Sequence, residues 1–369
     1  MKDIYVTKPY LPPIDKYEEY LTKIWNSGVL TNNGPLLIEF KDKLSEYIKN
    51  NNINLYCNGH NALECAIKGL NMKKGEIITT PFTFVSTTHA IVNCGYTPVF
   101  CDIKESDMTI DENKIENLIT DNTVAILPVH VYGFPCNVDA LEKIAKKHHL
   151  KLIYDAAHAF GVFKNNSSIL NYGDISMVSF HATKLFNTIE GGMTVCSDES
   201  LSHKLALIQN FGISDYEQVT EIGGNAKMNE FCAAMGLACI DDIDLIIKKR
   251  KEITFDYLEK LEKIEGIKTF KFDDEGIKYN YAYFPIIVDK ETYGMSRDKL
   301  SEKLNENGIF ARKYFYPVTS DMECYNENQN FKDANVSIAR SVSQNILTLP
   351  IYYDLTPQDV KRICKVIKK

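Results

Sequence analysis

A single lysine, Lys184, stands between an apolar run that closes in Ser179-Phe180-His181 and the glycine pair Gly191-Gly192. An amine held at such a loop tip and stripped of part of its water has a lowered pKa, and it can attack a carbonyl carbon to form a Schiff base. Upstream, Asp155 ends the apolar stretch Leu152-Ile153-Tyr154, so a carboxylate closes a second buried run. Two glycine-bearing turns add anion chemistry. Asn58-Gly59-His60-Asn61 sits between a short apolar stretch and helical spacing over 62–70, and Gly223-Gly224-Asn225-Ala226-Lys227 leads into a small-residue helix over 231–239. Backbone amides at a helix start, backed by the positive end of the helix dipole, hold phosphate. Each group also has a plain structural reading: a solvated loop lysine for Lys184, and helix caps for Asp155 and the Asn58 turn.

The elements that must position these residues follow from hydrophobic spacing. Between residues 76 and 196, strand-like runs (77–80, 97–101, 124–131, 151–155, 175–180) alternate with helical ones (86–94, 138–149). That alternation predicts a mostly parallel sheet with helices on both faces, an α/β architecture in which ligands collect at the carboxyl ends of strands. The lead-in contains an expected helix over 15–27 and the turn Thr31-Asn32-Asn33-Gly34-Pro35, whose polar side chains are free to face a ligand. Residues 198–211 read as helical. After Asp241 the texture shifts to a long charged helix over 246–264, a strand over 281–288 and helices over 297–307 and 357–368. We expect a large domain over 1–244 and a smaller α+β domain over 245–369.

Composition narrows the partners. The 369 residues are 44% hydrophobic and 25% charged, as in ordinary globular proteins, and the net charge of −7 argues against a nucleic-acid binder that works through a basic face. A phosphate on any ligand must therefore be gripped locally. The opening residues lack an apolar signal core, and no stretch reaches the ~18 apolar residues of a membrane span, so a cytoplasmic location is expected. The ten cysteines include no C-x-x-C pair and read as buried thiols, with no metal site expected.

Taken in order, Leu30-Thr31-Asn32-Asn33-Gly34-Pro35, Asn58-Gly59-His60-Asn61-Ala62-Leu63, Pro81-Phe82-Thr83-Phe84-Val85, Asp155-Ala156-Ala157-His158, Ser179-Phe180-His181-Ala182-Thr183-Lys184, Glu190-Gly191-Gly192, Gly223-Gly224-Asn225-Ala226-Lys227-Met228 and Gly308-Ile309 resemble the DegT/DnrJ/EryC1/StrS sugar aminotransferases over nearly the whole chain. The resemblance implies the aspartate aminotransferase-like fold of type I pyridoxal 5'-phosphate enzymes. It makes Lys184 the Schiff-base lysine and Asp155 the partner of the pyridine nitrogen. It places Phe84 against the cofactor ring and His158 on its hydroxyl side. The phosphate falls to the Gly59, His60 and Asn61 backbone and the Ser179 hydroxyl, with Asn225 reaching in from a second subunit of a homodimer. The implied sugar contacts are Thr31, Asn32, Asn33, Gly34, His181 and Glu190, with Lys227 or Arg312 on the diphosphate.

Three positions depart from common choices in these relatives: His60 where threonine is usual, Leu185 where asparagine is usual, and Ile189 where glycine precedes Glu-Gly-Gly. The implied reaction moves the amine of L-glutamate to a nucleotide-linked 4-keto-6-deoxy sugar for a surface glycan, with dTDP-4-keto-6-deoxyglucose as the expected acceptor. Amination at C3, a non-catalytic regulator that binds the cofactor or a sugar nucleotide, and a metal-dependent hydrolase using Asp155, His158 and His181 are the competing readings.

Overall fold

The computed structural model describes residues 2–325, 327, 331 and 334–368. Its centre is a seven-stranded sheet, whose strands we number in chain order: β1 (Ile53–Tyr56), β2 (Glu76–Thr79), β3 (Thr97–Phe100), β4 (Thr123–Leu127), β5 (Lys151–Asp155), β6 (Ile175–Ser179) and β7 (Gly192–Cys196). In space the order is β1-β7-β6-β5-β4-β2-β3. Neighbours from β6 to β3 pair in parallel, while β7 runs antiparallel to both β6 and β1. The sheet is thus mostly parallel, as the alternation of strands and helices predicts. Strands β4 and β7 are buried at every position, and β5 at all but Lys151, which suits a sheet covered by helices on both faces.

Lys184 lies between β6 and β7, at the tip of a strand–loop–strand passage. Asp155 is the last residue of β5, and Asn58 follows β1 as the cap of the Gly59–Gly69 helix. Three chain segments therefore deliver their chemistry to one edge of one sheet. The alternative in which Asp155 caps a helix does not hold, because no helix starts at Ala156.

Three buried clusters organise the rest. The first and largest packs on one face of the sheet, the second gathers Tyr257, Phe284, Ile286, Leu300, Leu347 and Ile363, and the third packs Ala62, Ala66, Ile77 and Ile153 on the other face of the sheet. The change from the first to the second happens inside a continuous helix, Ile243–Leu261: Ile243, Ile246 and Ile247 pack in the first core, and Ile253, Tyr257 and Leu261 in the second. The expected division at residue 244 falls within this helix. Ile4–Tyr5 pairs in parallel with Ile309–Phe310, so the first residues of the chain belong with the second core.

Elsewhere the spans differ at their ends. The helix expected over 198–211 is Glu199–Ile208, and a hairpin, Ile213–Asp215 with Gln218–Val219, follows it. The strand expected from 281 begins at Phe284. Tyr281 takes a φ of 54° and Asn280 Oδ1 accepts the Ala282 N–H at 3.1 Å, a local turn that displaces the start of the ladder. All ten cysteines are free. Among the described residues no helix is long and apolar enough to cross a membrane.

Candidate active site

A cavity of about 420 Å³ opens at the carboxyl edge of β5 and β6, within the usual range for a small-molecule site. Lys184, Asp155, His158, Ser179, Phe84, Gly59, His60, His181, Glu190 and Arg312 all line it. Residues far apart in sequence thus share one chamber.

Lys184 is half-buried, and its backbone N–H donates to the His181 carbonyl at 2.9 Å, which closes the loop behind it. Burial pushes its amine down from 10.5 to about 8, while the Asp155 carboxylate pulls partly the other way. Burial likewise raises the Asp155 carboxyl above its usual range, against hydrogen bonds from the Thr87 Oγ1 (2.7 Å) and the Ala157 N–H (3.1 Å) and against the Lys184 charge. Both hydrogen bonds come from neutral donors. A cationic N–H placed at this carboxylate would therefore supply the charge that burial leaves uncompensated.

The imidazole of His158 is buried and accepts the Tyr132 N–H on Nδ1 at 3.1 Å. Burial, and secondarily Lys184, hold its pKa well below the ordinary value, so the ring is neutral and Nε2 carries the proton. A fixed N–H donor is the result. Phe84 is 56% exposed while Phe82, two residues earlier, is fully buried, so Phe82 is the core aromatic and Phe84 offers its ring to the cavity.

At the Gly59–Gly69 helix start, the Asn58 side chain already takes the Asn61 N–H at 2.8 Å, and the Asn61 amide group turns to Cys57 Sγ at 3.1 Å. This corrects the expectation for Asn61: its backbone is satisfied by the cap and it does not line the cavity. The Gly59 and His60 amides remain, as first-turn groups with no partner inside the helix. The approach is tight. A Cβ on Gly59 would lie 2.9 Å from Ser179 Cβ, and one on Gly192 would lie 2.5 Å from the Asn58 carbonyl oxygen, so glycine lets β1, β6 and β7 converge behind the anion site.

His181 bridges Thr183 Oγ1 (2.8 Å) and Glu190 Oε1 (3.5 Å) at the cavity mouth. Arg312 stacks its guanidinium 5.1 Å over the Tyr314 ring. Other expected ligand contacts, Asn225 for the phosphate among them, are not part of this chamber in the single chain. Thr31, Asn32 and Asn33 are exposed, and Asn225 and Lys227 lie on an outer segment where Lys227 Nζ donates to Asn210 (2.6 Å) and Asn225 (3.1 Å). Leu185 is buried in the core, and Ile189 is 45% exposed. Among the described residues no group of three or more His, Cys, Asp and Glu could hold a metal ion, so Asp155, His158 and His181 do not form a ligand set.

Residues 14–368 match the DegT/DnrJ/EryC1/StrS aminotransferase family. The chain belongs to that family. It is 41% identical over 368 residues to a dTDP-4-amino-4,6-dideoxy-D-glucose transaminase of Shigella dysenteriae, covering 100% of this chain and 99% of the relative. A transaminase of the same name from Escherichia coli is 42% identical over 99% of this chain and 98% of its own. The solved structure of DesI in the presence of its TDP-sugar product superposes with a TM-score of 0.94 at 30% identity, covering 100% of this chain and 93% of that one. The chain is thus a nucleotide-sugar aminotransferase of fold type I.

Within this aminotransferase, motif reading did not reach Thr87, Ser86, Tyr283, Tyr314 or Glu230. Thr87 holds Asp155, while Ser86, Tyr283 and Tyr314 line the cavity. Glu230 is buried, and its carboxylate accepts the Leu36 and Leu37 N–H groups, each at 2.9 Å. It thereby fixes the start of the Pro35–Ile48 helix and the Thr31–Gly34 loop before it. The only sequence sign was an acidic residue opening an otherwise apolar helix.

Proposed function

We propose that this enzyme carries pyridoxal 5'-phosphate on Lys184 and transfers the amino group of L-glutamate to C4 of dTDP-4-keto-6-deoxy-D-glucose, giving dTDP-4-amino-4,6-dideoxyglucose. The observation that carries the reading is the convergence of a low-pKa amine, a buried carboxylate and an open helix start in one cavity. The residues present fit the cofactor: Asp155 lacks a cation that a protonated pyridine would supply, and the glycine-lined cradle at Gly59 suits a phosphate. When bound, the cofactor supplies an electron sink for the bond broken at the substrate carbon.

The chain's own groups do the rest. Asp155 keeps a ring nitrogen protonated, and Thr87 keeps Asp155 in place and ionised. The Lys184 amine, whose pKa of about 8 leaves part of the population neutral at physiological pH, takes a proton at the substrate carbon and returns it as general base and acid. The His158 Nε2–H offers a fixed donor to a ring oxygen. The Gly59 and His60 amides with the Ser179 hydroxyl bind the phosphate, while His181, Glu190 and Arg312 face the acceptor and its diphosphate.

Two identities above 40% over full length support dTDP and C4 as the sugar choice. A homodimer in the cytoplasm accounts for the surface that the single chain leaves bare. The hairpin after β7 exposes Tyr216, Val219 and Ile222 beside the exposed Asn225, an apolar patch suited to a second copy. Product analysis by NMR, after incubation with L-glutamate and a panel of dTDP-, UDP- and GDP-linked keto sugars, tests the reading. Conversion of the dTDP-4-keto sugar alone is expected, with none by Lys184→Ala. Conversion of only a 3-keto sugar would overturn the substrate assignment, and turnover by Lys184→Ala would overturn the mechanism.

A further inference from the structure

One group of side chains at the cavity wall has no role in the mechanism above. His60 Nδ1 lies 2.8 Å from Ser86 Oγ, and His60 Nε2 lies 3.2 Å from Glu64 Oε1. His60 and Ser86 both line the cavity, while Glu64 sits one helical turn behind His60. We propose that Glu64, His60 and Ser86 form a hydrogen-bonded chain that ends on the phosphate of the bound cofactor and couples its binding to the uptake of one proton by His60. This rests on the reading of the cavity as a pyridoxal 5'-phosphate site.

Hydrogen-bond bookkeeping leads to it. Burial works against the charge on Glu64, but the Asn93 amide, then Lys68 and His60, outweigh it and hold the carboxyl below its usual range. Asn93 Nδ2 donates to Glu64 Oε1 at 2.9 Å, and Lys68 Nζ lies 3.4 Å from Oε2, so the carboxylate is ionised and pinned from two sides. An ionised carboxylate only accepts, hence Nε2 of His60 carries a proton. In the neutral ring Nδ1 is then an acceptor, and the Ser86 hydroxyl points its hydrogen at it.

A phosphate at the Gly59 and His60 amides changes the demand. A dianion accepts only, so Ser86 can serve it solely by turning its O–H toward the phosphate, which removes the donor that Nδ1 was using. One proton from solvent on Nδ1 restores the chain: Nδ1–H donates to Ser86 Oγ, and the Ser86 O–H donates to a phosphate oxygen. The imidazolium then stands between the Glu64 carboxylate and an anion, the setting that favours its charged form. The other titratable groups facing the ring are Glu64 and Lys68 on its own helix, His89 on the Ser86–Asn93 helix, and Lys184 across the cavity. His89 is held neutral by burial and then by His60 itself, so it does not compete for the proton near pH 7.

Calorimetric binding of pyridoxamine 5'-phosphate to the apoenzyme tests this without the covalent step on Lys184. Titrations near pH 7.5 in buffers of different ionisation enthalpy count the protons exchanged. The wild type is expected to take up about one proton more than His60→Gln. Ser86→Ala should lose most of that uptake and bind roughly tenfold more weakly, and Ser86→Thr should restore both. Glu64→Gln, which leaves the ring and the hydroxyl in place, should also lower the proton count and keeps the test decisive if His60→Gln does not fold. Equal proton counts in the wild type and the folded His60 or Glu64 variant would overturn the proposal. Failure of the wild type to bind the probe at all would overturn the cofactor reading instead.

Discussion

The most direct consequence of the cavity is kinetic: the pH at which Lys184 captures an aldehyde. An amine at its ordinary pKa of 10.5 is neutral in roughly one molecule in 3,000 at pH 7, whereas one at about 8 is neutral in roughly one in eleven. Only the neutral amine attacks, so burial raises the attacking population roughly 300-fold. Mixing apoenzyme with pyridoxal 5'-phosphate in a stopped-flow instrument, and following the absorbance of the covalent product from pH 6 to 10, reads this directly. The rate should climb about tenfold per pH unit below the amine's pKa and level off above pH 8.

Asp155 supplies the internal control. Its charge holds the proton on Lys184, so removing it lets burial act with less opposition. Asp155→Asn is therefore expected to move the plateau to lower pH, even though it damages turnover. A rate that keeps climbing to pH 10 in the wild type would refute the claim that this amine is desolvated. A plateau shifted upward in Asp155→Asn would refute the sign of the Asp155–Lys184 coupling.

Two further changes test the scaffold. Ile189 holds a φ of 69°, the left-handed region that a β-branched side chain resists. Relief of ~1–2 kcal/mol of strain, less the ~0.5–1 kcal/mol entropy cost of glycine, predicts that Ile189→Gly stabilises the fold by about 0.5–1 kcal/mol; a lower midpoint in urea would contradict it. Glu230→Gln replaces a buried acceptor of two N–H groups with a side chain that presents a donor to one of them, at a helix start that favours negative charge. A loss of about 2 kcal/mol and a Tm lower by about 2–3 °C are expected by scanning calorimetry, and an unchanged Tm would show that the carboxylate is not what fixes this helix.

What could be read from sequence was what neighbours in sequence decide. The place of Lys184 and Asp155 was legible because each sits where an apolar run meets a polar loop and a parallel sheet puts all such carboxyl ends on one edge, while the roles proposed for them came with the family resemblance. Thr87, Tyr314 and Glu230 were not, because each meets its partner across the fold: Thr87 reaches Asp155 from a helix start after β2, and Glu230 caps a helix nearly two hundred residues earlier. The outer segment near residue 225 shows the same limit from the other side. Asn225 and Lys227 belong to what reads as a second glycine-led phosphate loop, and the chain does lie against β1 there, with the Cys57 N–H donating to the Ala226 carbonyl at 2.8 Å. Its side chains alternate, however: Ala226 and Met228 are buried, while Asn225 and Lys227 face outward together. A period of two fixes that pairing, so the two polar residues share one face of the segment. Neither lines this chain's own cavity, and on the homodimer reading proposed above that face is the one a second copy would meet.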